Sequence, residues 1–156
     1  KIGNLNFKTI FIPGHTSGHI AFYLEKEKVV FTGDTLFSLG CGRVFEGTYQ
    51  QMFSSLNKIK NLPEDTKIYC GHEYTKSNLG FCLKFNPNNK YLKDKERVIE
   101  EKINDSKPTI PSTIKDEIQM NIFLRYDDSD VKDALNLQNA SDLEIFTKLR
   151  DLKDNF

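Results

Sequence analysis

The sequence holds no tryptophan, three cysteines, three histidines, five prolines and no excess charge of either sign. Twenty-two lysines and arginines balance twenty-two aspartates and glutamates. No global field would therefore hold the chain on a polyanion or an acidic membrane, which argues against nucleic acid as the main partner while leaving room for a local basic patch that selects a small anion. Apolar runs stay far short of the roughly 18 to 20 residues that cross a bilayer, and no signal or transit peptide is visible. Cys41, Cys70 and Cys82 are odd in number and share no CxxC spacing, so a disulfide framework is not expected and a reducing compartment fits. Cytoplasm and mitochondrion both satisfy that condition. Each cysteine reads as a small buried apolar residue. The 156 residues, 38% apolar, allow one compact domain or a small domain with an appendage. Lys1 is not an initiator and the chain runs at once into strand-like sequence, so a fragment or a processed product is expected.

What is present falls into two unlike halves. Lys8 to Ile12 is an apolar run stopped by Pro13-Gly14. His19 to Leu24 and Lys28 to Thr32 are two more, joined by the charged turn Glu25-Lys26-Glu27 as a hairpin. A glycine-rich loop follows from Leu39 to Gly47. Thr48 is placed to cap a helix whose apolar stripe is Met52, Phe53, Leu56 and Ile59. Lys67 to Cys70 reads as a strand ending at Gly71-His72. This β, helix, β order predicts a layered α/β unit over residues 1–74. Beyond it, Thr75 to Phe85 and Asn89 to Asn104 read as helices. Residues 107–112, with Pro108 and Pro111, read as an extended connector. From Thr113 to Phe156 two or three further helices and no strand are expected, giving a helical unit over 75–156.

His15, Asp34 and His72 each follow a strand, and each stands beside a glycine. Open α/β sheets gather their sites in such a row of loops. Imidazole and carboxylate are ligands for zinc, iron or manganese alike. His19 lies four residues after His15, but Thr16-Ser17-Gly18 between them is turn chemistry, not helix. It is read as a supporting residue, its ring hydrogen-bonded near the metal loop.

The segments Pro13-Gly14-His15-Thr16-Ser17-Gly18-His19, Phe31-Thr32-Gly33-Asp34-Thr35-Leu36-Phe37 and Tyr69-Cys70-Gly71-His72-Glu73-Tyr74 resemble glyoxalase II, the hydroxyacylglutathione hydrolases. The resemblance continues through Gly40-Cys41-Gly42-Arg43, Glu46-Gly47-Thr48, Pro108 to Ser112 and Lys153-Asp154-Asn155-Phe156, and so covers essentially the whole chain. It implies an α/β fold: the second half of a metallo-β-lactamase αββα sandwich followed by a helical carboxy-terminal subdomain that binds glutathione. It implies hydrolysis of S-D-lactoylglutathione to glutathione and D-lactate by a hydroxide bridging two divalent metal ions. His15 and Asp34 would hold one ion and Asp34 and His72 the other, with Asp34 shared. By the same resemblance the substrate is contacted by Arg43, His72, Tyr74, Arg150 and Lys153, and by Phe45 where the family often has tyrosine.

The family also carries a Thr-His-x-His-x-Asp-His motif well upstream of the position of His15. Only fourteen residues precede His15 here. Two ligands per ion remain, where a catalytic zinc normally takes three from protein. The 156 residues alone are thus expected to bind metal weakly, to turn over negligibly, and to self-associate through an exposed half-core. Two other readings compete: a non-catalytic glutathione-binding or interaction module, and a persulfide dioxygenase of the same fold, which the helical tail disfavours.

Overall fold

A computed structural model describes residues 3–156. Lys1 and Ile2, on which the expectation about the start of the chain rests, lie outside the described residues. Four of the expected strands form where the apolar runs are: β1 (Lys8–Phe11), β2 (Ile20–Leu24), β3 (Val29–Gly33) and, after two short strands, the strand Lys67–Cys70. The short strands, β4 (Leu36–Phe37) and β5 (Gly40–Cys41), make a separate two-stranded hairpin inside the glycine-rich loop. Lys67–Cys70 is therefore β6.

The main sheet has the order β1-β2-β3-β6 and ends on β7 (Ser112–Thr113). β1, β2 and β3 are antiparallel neighbours, whereas β6 lies parallel to β3, with Val30 opposite Ile68. A parallel neighbour needs a crossover, and helix α1 (Tyr49–Lys60) provides it. Thr48 caps α1, its side chain accepting from Gln51 N–H while Gln51 reaches back to the Thr48 N–H. That reciprocal box satisfies two of the orphan donors of the first turn.

β7 takes in Ser112, the end of the expected extended connector, and Thr113, the first residue of the stretch where no strand is expected; beyond Thr113 no strand forms among the described residues. Lys67 pairs with Thr113 and Ile68 with Ser112. A two-residue strand has no period to read; long-range pairing alone makes it.

The remainder is helical: α2 (Thr75–Phe85), α3 (Lys90–Asn104), α4 (Ile114–Met120), a 3₁₀ turn (Ile122–Leu124), α5 (Ser129–Ala134) and α6 (Asp142–Asp154). One buried cluster joins both parts. Ala21, Tyr23, Val30 and Ile68 of the sheet meet Met52, Leu56 and Ile59 of α1, and the cluster continues through Leu36 and Leu39 to Phe81, Phe123, Phe146 and Leu149. The alternation along β2 and β3 sends Ile20, Phe22 and Phe31 to the other face, where with Phe11 they remain 40–54% exposed. Phe31 stacks on Tyr69 there, ring centres 5.5 Å apart.

Candidate active site

The strand-end loops converge. Asp34 follows β3, His72 follows β6, and His15 stands in the turn between β1 and β2. The two carboxylate oxygens of Asp34 address different imidazoles: Oδ2 lies 3.5 Å from Nε2 of His15, and Oδ1 lies 3.4 Å from Nε2 of His72. His15 Nδ1 is 3.0 Å from the carbonyl oxygen of Arg43. A carbonyl only accepts, so Nδ1 carries the proton in this contact, and Nε2 is the ring nitrogen that faces Asp34.

Local backbone explains the approach. Gly71 stands so close that a β-carbon there would be 2.4 Å from Asp34 Oδ1, so any side chain would displace the carboxylate. Gly33 adopts φ of +52°, a region glycine enters without penalty. Its missing β-carbon also leaves room for His19, whose Nε2 accepts from the Asp34 N–H at 3.1 Å. With Nε2 so used, His19 orients the Asp34 loop and does not face the cavity.

His15, Asp34 and His72 line one pocket of about 500 Å³. Phe37, Arg43, Phe45, Tyr74, Arg150, Lys153 and Asp154 also line it. Tyr74 stacks on the His72 ring, centres 4.9 Å apart and 14° from parallel, and Phe37 meets Tyr74 edge-on. Phe45 tilts over His15 at 5.2 Å and is 67% exposed. Lys153 lies over the rings of Phe81 and Phe156, with Nζ 3.2 Å from Ser77 Oγ. Burial, and then the neighbouring Arg150, hold its ammonium below the usual lysine range.

Arg150 sits differently from Arg43. It is 3% exposed, donating to Cys41 O at 2.6 Å and to Asp154 Oδ1 at 2.9 Å, with its guanidinium over Phe123. Arg43 is open to solvent, with Nε 3.4 Å from the same Asp154 oxygen. Asp154, Phe37 and Ser77 belong to this pocket though sequence reasoning did not single them out. Asp154 follows Lys153 directly, but an acid among the basic residues expected to hold an anionic substrate is not what charge logic predicts. Glu73 was also missed; it accepts from the Thr109 and Ile110 N–H groups, at 3.0 and 3.3 Å, and so ties the connector to the loop after His72.

Among the described residues, no three His, Cys, Asp or Glu side chains close around one point as a complete metal cluster. What the structure offers is two half-sites that share Asp34, each with one free imidazole nitrogen. That chemistry fits two cations bridged by a carboxylate, with two protein ligands apiece.

Residues 73–156 match the family model described as hydroxyacylglutathione hydrolase C-terminus, and residues 1–72 match that of the metallo-beta-lactamase superfamily. A hydroxyacylglutathione hydrolase of Pelagibacter ubique (strain HTCC1062) is 57% identical over 98% of this chain and 58% of its own. Another, from Chelativorans sp. (strain BNC1), is 46% identical over 100% of this chain and 61% of its own. The chain thus spans about three fifths of the length of these curated relatives. The crystal structure of ETHE1 from Myxococcus xanthus aligns with a TM-score of 0.60 over 97% of this chain and 47% of that one. At 23% identity the likeness is one of fold: the layers described above are part of a metallo-β-lactamase fold with a helical carboxy-terminal part. No helix among the described residues is long and apolar enough to cross a membrane.

Proposed function

This chain belongs to the hydroxyacylglutathione hydrolase family, and from that premise we propose that it supplies part of the metal centre and most of the glutathione-binding surface of a thioester hydrolase. The reaction is cleavage of an S-(2-hydroxyacyl)glutathione, S-D-lactoylglutathione above all, to glutathione and the hydroxy acid. The observation that carries this reading is Asp34 facing His15 and His72 in a pocket that Arg43 and Lys153 also line.

His15 with Asp34 and Asp34 with His72 would each hold a divalent cation, whether zinc, iron or manganese. Bound there, such cations supply Lewis acidity, which activates water at neutral pH and stabilises negative charge on a carbonyl oxygen. The residues of this chain do the rest. The Arg43 carbonyl and the His19 ring fix His15 and Asp34 in place. Tyr74 restricts the His72 ring by stacking on it. Phe37 and Phe45 form apolar walls on either side. Arg43 and Lys153 offer cations to the carboxylates of the glutathione portion, and Arg150 acts on that end through Asp154 and the Cys41 carbonyl. A departing thiolate, from a thiol of pKa about 8.5, needs no strong general acid.

In this reading residues 1–74 supply the metal ligands and 75–156 most of the glutathione contacts. The free thiols Cys41, Cys70 and Cys82 favour a reducing compartment, cytoplasmic or mitochondrial. The partner is a small-molecule thioester, not nucleic acid or membrane.

The test uses the full-length protein that contains this chain, loaded with zinc. Hydrolysis of S-D-lactoylglutathione is followed at the thioester absorbance, and Asp34→Asn is expected to lower turnover at least a hundredfold. No hydrolysis by the loaded, unmodified protein would overturn the reading. A second reading, a binding module without catalysis, draws support from the two ligands per ion. Calorimetry with glutathione separates the two: affinity independent of zinc belongs to a module, and zinc-dependent affinity to an enzyme.

A further inference from the structure

The hairpin of β4 and β5 is gripped by buried side chains that reach in from the helical part. Asn78 of α2 donates to Ser38 O at 3.0 Å, and the Cys82 thiol of the same helix donates to Leu39 O at 3.3 Å. Asn121, at the end of α4, donates to Gly40 O at 3.1 Å and to Phe37 O at 3.4 Å. Arg150 of α6 takes Cys41 O. In the other direction, the Leu39 N–H donates to Oε2 of Glu117 at 2.8 Å, a contact 78 residues long in sequence. Glu117 and Asn121 are fully buried, and the Asn121 amide also donates to that same Oε2, at 2.8 Å.

Strands of two residues do not pair stably by themselves, and Leu39 holds φ of +60°, a conformation a branched side chain rarely adopts. The shape of this hairpin is therefore imposed from outside. Its position matters because Phe37 and Cys41 line the pocket, and the chain runs straight on from Cys41 through Gly42 to Arg43.

A buried carboxylate is a costly way to hold a turn. Burial pushes the Glu117 acid up to about 7, while the Ser112 hydroxyl, the Leu39 N–H and Asn121 pull it down. Its second oxygen, Oε1, has no hydrogen-bond partner. An apolar residue of similar volume would avoid that penalty, but it would offer Leu39 no acceptor.

We propose that Glu117, acting with Asn121, is a positioning residue for the substrate pocket. From α4 it sets the hairpin that carries Phe37 and Cys41 and aims Arg43, and so governs affinity for the glutathione portion without touching it. The proposal rests on the glutathione-thioester reading above and names a residue on which that pocket depends.

The experiment compares Glu117→Leu and Glu117→Gln in the full-length, zinc-loaded protein, with S-methylglutathione as the binding probe. Removing the acceptor costs a buried hydrogen bond, so Glu117→Leu is expected to weaken probe binding, and to raise KM for the thioester, about tenfold. The kcat and zinc content should change much less than the affinity, because Asp34 is held by His19 and His72 follows β6 of the main sheet, and only His15 leans on the chain after the hairpin, through the Arg43 carbonyl. Amide exchange should speed up at residues 36–43 and not across the main sheet. Glu117→Gln should restore both affinity and protection, since its amide oxygen accepts from Leu39. Wild-type affinity in a folded Glu117→Leu protein would overturn the proposal, as would parallel loss of kcat and zinc, the signature of a merely structural role. Where Glu117→Leu does not fold, Asn121→Ala tests the same grip with the same expected losses, because it removes the bonds to Phe37 O and Gly40 O while the Leu39–Glu117 contact supports the fold. Should the unmodified protein bind no glutathione conjugate, the functional reading fails by itself. Exchange then decides the positioning role: fast exchange confined to residues 36–43 in Glu117→Leu upholds it, and protection unchanged or lost everywhere overturns it.

Discussion

The Asp34 N–H donates to Nε2 of His19 across 3.1 Å. The ring that could have been a fourth metal-facing group is thereby spent on the backbone of the residue that both half-sites share. His15 and His19 are four residues apart, yet they do different work, because the turn Thr16-Ser17-Gly18 turns one ring into the pocket and the other behind it.

This division predicts unequal effects on metal binding. In the full-length protein, His15→Ala removes a ligand and is expected to empty one half-site outright. His19→Ala leaves both donor sets intact but frees the Asp34 loop, and should weaken zinc by roughly 10- to 100-fold, the usual toll of losing a residue that orients a ligand. Zinc titration against a competing chelator distinguishes the two, and equal losses would contradict the assignment.

Arg150 and Lys153 of α6 should separate in the same way. Lys153 faces the pocket, with its ammonium held below the usual range by burial. Lys153→Ala is expected to weaken glutathione binding while leaving the denaturation midpoint nearly unchanged. Arg150 is 3% exposed and bonds Cys41 O. Arg150→Ala strands that carbonyl, and should cost about 1–3 kcal/mol of stability, the range for leaving a buried hydrogen-bonding group without its partner. Urea denaturation alongside calorimetry checks both.

Much of this was legible in the sequence, and the boundary is physical. β1, β2, β3 and β6 are unbroken apolar runs closed by proline, glycine or charge, and Thr48 stands three residues before Gln51, so local patterns suffice for them. His15, Asp34 and His72 were legible because each follows such a run. β4, β5 and β7 were not, since two residues make no pattern and their pairing is set by partners far along the chain. Arg150 looks like any basic residue on a terminal helix until Cys41, 109 residues earlier, is placed beside it. Glu117 gives even less away: a glutamate four residues after Thr113, in the first turn of its helix, reads as solvated, and only the fold buries it.

Glu117 also makes a prediction about pH. Its acid is raised from 4.5 to about 7, chiefly by burial, with Asp116 adding to the rise. A carboxyl with a raised folded-state pKa favours the folded state most when both states hold the proton. That contribution is therefore full below about 4.5 and is lost as pH climbs through about 7, where the buried group must ionise. Denaturation midpoints measured from pH 5 to 8 should fall more steeply for the unmodified protein than for Glu117→Gln, which has no proton to lose. Identical slopes would place the ionisation elsewhere.

The last prediction concerns a polypeptide of these 156 residues made by itself. Phe11, Ile20, Phe22 and Phe31 form one apolar face of the sheet, 40–54% exposed. Side by side on adjacent strands, they make a patch of the kind that marks an interaction surface. Such a polypeptide is expected to self-associate across this face, and Phe22→Lys with Phe31→Lys should return it to a monomer in light scattering, because two buried ammonium groups facing each other would cost more than the contact gains. A clean monomer at high concentration without those substitutions would rule the association out. The same polypeptide should hold zinc weakly and hydrolyse S-D-lactoylglutathione negligibly, since two protein ligands per ion leave each cation exposed to competing water. Assay of the dispersed double variant separates the causes: if turnover stays absent once the chain is monomeric, the deficit lies in the ligand set and not in an occluded pocket.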